Sequence, residues 1–81
     1  MTLNPVQAAR AEAAAERAQA NATALEAFQA AQRTTPAAVY PAALARALGV
    51  SKCYIGHWLH RRQHMHPARL AQVYDFLSSA Q

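Results

Sequence analysis

The sequence predicts an all-α fold: about four helices in a compact domain, preceded by an Ala-rich N-terminal helix. Three observations carry that expectation. Large apolar side chains recur at helical spacing, as in Leu25/Phe28, Leu44/Leu48, Ile55/Trp58/Leu59 and Leu70/Val73/Leu77. No segment alternates apolar and polar residues in the way a half-buried strand does. Pro5, Pro41 and Pro67 each stand where a first helical turn would begin, the one helical position that tolerates proline. A chain of 81 residues holds one small core at most. The expected division is an arm over 1–22 and a domain over 23–81.

Taken in order, Asn4 caps the first helix, Pro5 opens it, and Gln7 completes a capping-box pattern. From Val6 to Ala20 the chain is mostly Ala with Gln, Glu and Arg, all strong helix formers. Glu12 and Glu16 can pair with Arg17 and its neighbours, each pair worth only about 0.2–0.5 kcal/mol. The segment lacks large apolar side chains, so burial alone cannot hold it to a core. Thr23 with Glu26 repeats the capping pattern and predicts a helix over 23–32. Asn21 either breaks this helix from the first or lies inside one continuous rod. The run Arg33-Thr34-Thr35-Pro36 is a stop, because the residue before proline leaves the α region. Residues 37–40 make a short connection, 63–66 a loop, and Pro67 starts the last helix. Tyr74 and Phe76 lie off its apolar stripe and suit a subunit contact.

The run Pro41–Arg62, PAALARALGVSKCYIGHWLHRR, organises the rest. Leu44 and Leu48 share one helix face, and Ala45 beside them is small enough for a second helix to pass close. Gly49 ends the helix, since the turn there favours positive φ, which glycine adopts without steric cost. Val50 plugs the turn and Ser51 caps the next helix. Ile55, Trp58 and Leu59 bury one face of that helix. Its other face shows Lys52, Cys53, Gly56, His57 and His60.

The charge pattern is informative. The net charge is +4 and the pI near 10.0, which suits a polyanionic partner. Glu12, Glu16 and Glu26 fall in the N-terminal third, and no further acid occurs until Asp75. Between them lie Arg33, Arg46, Lys52, Arg61, Arg62, Arg69 and all four histidines, a one-signed stretch fit to face phosphate. The single cysteine forms no internal disulfide, and no apolar run is long enough to span a bilayer. The N-terminus shows no signal-peptide apolar region, so a cytoplasmic protein is expected.

A helix pair with this turn glycine, small residue and apolar spacing resembles the helix-turn-helix of the Cro/CI repressor superfamily. The LARALGVSK core ahead of a Trp-bearing second helix is similar to the small YdaS-type, Cro-like phage and prophage regulators. The resemblance implies double-stranded DNA as partner, read in the major groove from the cap and first turns of the second helix. Carried over by position, base reading falls to Ser51, Lys52, Cys53 and His57, with Gly56 letting the backbone come close. Lys52 and His57 can donate to O6 and N7 of guanine. Cys53 departs from the Gln or Arg usual in that row. Phosphates would be held by His60, Arg61 and Arg62 and by the helix start at Pro41, with a further donor end at Pro67. Arg46 is either a phosphate contact or an ordinary surface charge. The resemblance further implies a homodimer on a two-fold operator, with recognition helices about 34 Å apart, acting as a repressor.

Other readings stand beside this one. The arm is a solvated helix, an Ala seam between subunits, or a disordered arm that contacts DNA or a partner. Cys53 and His57 share a helix face at metal-ligand spacing, with His60, His64 and His66 nearby. Metal there would compete with DNA for the same face, so no metal and no cofactor is assigned. Protonation of these histidines in mildly acidic solution would strengthen phosphate binding. An enzyme is not expected: no acid lies near the histidines in sequence, and no nucleophile has an evident base and orienter. The alternative from another class is a protein-interaction module, antitoxin-like or a scaffold adaptor, that binds a partner through its helical unit or Ala-rich helix.

Overall fold

The computed structural model describes residues 4–80, so positions 1–3 of the expected arm and position 81 lie outside it. The described chain is all-helical: α1 (Pro5–Thr34), α2 (Pro41–Leu48), α3 (Lys52–Leu59) and α4 (Pro67–Ala80). The helix α4 packs against both α1 and α2, and α2 packs on α3.

The start of α1 follows the sequence. Asn4 Oδ1 accepts from the Gln7 amide at 2.8 Å, and Gln7 Oε1 accepts from the Asn4 amide at 3.3 Å. The expected second start at Thr23 is replaced by continuous helix. Its hydroxyl does not cap; it donates back to the Gln19 carbonyl at 2.9 Å, one turn earlier in the same helix. No glycine or proline interrupts the run, and Ala, Gln and Glu on either side favour helix, so arm and first domain helix are one element. At 30 residues it is about 45 Å long, which accounts for dimensions of 51 × 22 × 19 Å. Two forces hold it. The C-terminal half buries Ala24, Leu25, Phe28 and Ala31, whereas residues 9–20 are all exposed and rest on propensity and the cap.

After Thr34 the Thr35 carbonyl accepts from the amides of Ala38 (3.1 Å) and Val39 (2.9 Å). This tight turn drives Val39 fully into the core, which the helical periodicities did not foresee. Leu44, Ala45 and Leu48 of α2, Ile55 and Trp58 of α3, and Leu70, Val73 and Leu77 of α4 are buried as their spacing predicts. Met65 joins them from the α3–α4 loop. Phe28 meets Trp58 edge to face, with ring centroids 6.2 Å apart, a pairing worth about 0.5–1.5 kcal/mol beyond its burial.

The two central helices end by the same device. Beyond α2, Gly49 is left-handed at φ 70°, and the Val50 amide reaches back to the Ala45 carbonyl at 3.0 Å. Beyond α3, the left-handed residue is Arg61 at φ 58°, and the Arg62 amide reaches the His57 carbonyl at 2.8 Å. Glycine serves the first turn at no steric cost. An arginine holds the second, at a cost of about 1–2 kcal/mol.

Candidate nucleic-acid interface

The surface in question is built outward from the start of α3. Ser51 is extended and its Oγ accepts from the Tyr54 amide at 3.1 Å, as a capping serine should. The first turn of α3 therefore points Ser51, Lys52 and Cys53 away from the core, and all three are exposed. His57 and His60 continue the row one and two turns on, also exposed, and Gly56 is half-buried. Arg61 and Arg62 close the row at the far end, both exposed. By helical spacing Cys53, His57 and His60 share the exposed side of α3 turned away from Ile55 and Trp58, with Lys52 and Gly56 at its edge, whereas Arg61 lines a groove together with Trp58 and α1.

Gly56 opens that row to a close approach. A Cβ added there meets nothing within 4 Å inside the protein. Gly56→Ala is therefore expected to raise stability by about 0.5–1 kcal/mol in a chemical denaturation curve, since alanine is the better helix former. The same methyl would stand between α3 and a base edge, so weakened DNA binding in that stabilised variant is the expected outcome.

At α2 the structure refines an expectation. Pro41 is the first helical residue, and its nitrogen carries no hydrogen, so it offers no donor to phosphate. The Leu44 amide is taken by the Tyr40 carbonyl at 3.1 Å, which leaves the amides of Ala42 and Ala43 as the donors of that first turn. Arg46 on the same helix donates to the Tyr40 hydroxyl at 2.8 Å and lies 5.9 Å from its ring centroid.

Other cations of the one-signed stretch have structural work. The Arg69 guanidinium lies 5.4 Å from the Tyr54 ring centroid and donates to the Leu48 carbonyl at 3.4 Å, at the negative end of α2. His66 precedes α4, and its Nδ1 accepts from the Ala68 amide at 3.1 Å, the act of a helix cap rather than of a ligand. Among the described residues no three His, Cys, Asp or Glu side chains converge as a metal site would require. No described helix is long and apolar enough to cross a membrane.

What fixes α3 in place is Asn21, which sequence reasoning left as a possible helix break. It is buried, and its amide is fully engaged. Oδ1 accepts from Trp58 Nε1 at 3.0 Å and from the Met65 amide at 2.7 Å. Nδ2 donates to the Met65 carbonyl at 3.2 Å and to the Arg17 carbonyl at 2.9 Å. One side chain thereby ties α1 to the back of α3 and to the loop that carries Arg61 and Arg62. The signal available in the sequence was a lone polar amide in an Ala-rich helix, one turn before Leu25 and two before Phe28.

No protein-family model matches the sequence, and comparison with curated proteins and with solved structures likewise finds no match.

Proposed function

We propose that this chain is a sequence-specific DNA-binding regulator of the Cro-like kind, of phage or prophage character. In this reading it acts as a homodimer on a palindromic operator and represses by occluding a promoter. The observation that carries it is the exposed row on α3. A capped N-terminus presents Lys52, Cys53 and His57, and two arginines close the far end. The strained backbone at Arg61 supports the same reading. A position where glycine would be cheaper keeps a cation, which is intelligible if the cation has a partner. Lys52 and His57 take the base edges, with Ser51 and Cys53 beside them, and His60, Arg61 and Arg62 take phosphates.

The exposed first half of α1 favours one second reading, a protein-interaction module that engages a partner along that helix. Fluorescence anisotropy with duplex DNA across a salt series separates the two. A linear fall of log affinity with log salt supports the regulator, because each neutralised phosphate releases counterion. No binding at low salt, together with stable capture of a second protein, overturns it.

A further inference from the structure

We infer that a second copy of this chain covers the exposed half of α1, its own α1 lying parallel in the groove between that helix and the α3–α4 loop. The inference rests on the homodimer of the reading above and supplies its interface.

Spacing draws the seam. Ala8, Ala11, Ala15, Ala18, Ala22 and Leu25 recur at alternating intervals of three and four residues, the pattern by which two helices pair. Of these only Leu25 is buried, and Ala11, Ala15 and Ala18 are exposed. Side chains this small let paired helix axes approach to about 8 Å, but they bury little apolar area. The seam has help toward its C-terminal end. There Ala15, Ala18 and Ala22 form one side of a groove, and Arg61, Gln63 and His64 of the α3–α4 connection form a wall on the other. A helix laid on the seam touches that wall too, which adds the contact that alanine lacks. The capping box and Ala-rich composition keep this half of α1 helical without burial, so it is preformed for pairing.

Charge on the flanks says what fills the groove and which way it runs. Around the helix from the seam's centre, Glu12 lies about 90° and Glu16 about 130° to one side. Arg10 lies about 110° and Arg17 about 130° to the other side. All four are exposed. The wall rises on the arginine side, where Asn21 bonds Trp58 and Met65, and it contributes Arg61. Two copies joined antiparallel would set like flanks together, Glu against Glu and Arg against Arg. Joined in parallel, the acidic flank of each copy meets the arginine flank and the wall of the other, twice over by the two-fold axis. The same helix thus carries both the groove and the flank that complements it.

The test uses the full chain without DNA, by sedimentation equilibrium over a range of protein concentrations. The wild type is expected to dimerise. Ala11→Gln/Ala18→Gln places good helix formers on an exposed face, so helicity by circular dichroism should hold while dimer affinity falls about tenfold. Glu12→Arg/Glu16→Arg is expected to weaken the dimer comparably. Exchanging both flanks in one chain, Arg10→Glu/Glu12→Arg/Glu16→Arg/Arg17→Glu, is expected to restore it. Orientation is read in a Cys53→Ser background with Ala8→Cys or Ala18→Cys. Each cysteine should crosslink to its own counterpart under oxidised glutathione, which only a parallel pair permits at both positions. A wild type that stays monomeric overturns the inference. So does a dimer indifferent to Ala11→Gln/Ala18→Gln, or one that crosslinks at only one of the two positions. Duplex binding judges the regulator reading separately: a parallel dimer that binds no duplex keeps this interface and sinks that reading.

Discussion

Replacing Asn21 with alanine is expected to cost about 3–5 kcal/mol of folding stability, far more than its place in an Ala-rich helix suggests. The truncation leaves the Trp58 indole N–H and the Met65 amide and carbonyl buried without their partner. Each orphaned buried group costs about 1–3 kcal/mol, and a network loses more than its parts. An 81-residue domain is stable by only about 4–12 kcal/mol, so a large share of the total is at stake. Asn21→Asp should fare as badly near neutral pH. A carboxylate keeps the two acceptor roles but donates nothing to the Met65 and Arg17 carbonyls, which it would instead face with negative charge. Urea denaturation measures both variants, and a midpoint close to that of the wild type for Asn21→Ala would show that the network carries little.

Arg61→Ala/Arg62→Ala is expected to weaken DNA binding by about tenfold to a hundredfold, nearly alike on all sequences. The salt slope should fall by about 2 per protomer. A companion variant separates side chain from backbone. Arg61→Gly removes the cation and also removes the cost of a left-handed arginine, so it should bind more weakly yet unfold about 1 kcal/mol later. Stability and binding moving in opposite directions is the signature of a residue kept for its side chain against the preference of its backbone. If both fall together, Arg61 is merely part of the helix end.

Much of the fold was legible because its signals are local. The cap at Asn4, the turn at Gly49, the cap at Ser51 and the apolar spacing of α2, α3 and α4 each depend on a few adjacent residues. The features missed depend on what lies across the core. Thr23 has the right residue three positions later for a cap, but local pattern cannot show that the preceding turn stays helical. Val39 and Met65 are single apolar residues in connections, with no periodicity to mark them, and both are fully buried. Asn21 stayed open between a helix break and a place inside one rod because its partners, Trp58 and Met65, lie more than thirty residues away. The exposed row on α3 was legible from the alternation of its two faces. The left-handed turn at Arg61 was not, since nothing in an Arg-Arg pair announces it.

The measurement closest to the central claim is selection of bound sequences from a random duplex pool, with the wild type and with Lys52→Ala. The account predicts an enriched inverted repeat with half-sites about one helical turn apart, about 34 Å, and relaxed preference at one position of each half-site in the variant. A pool that emerges unenriched at moderate salt would contradict it.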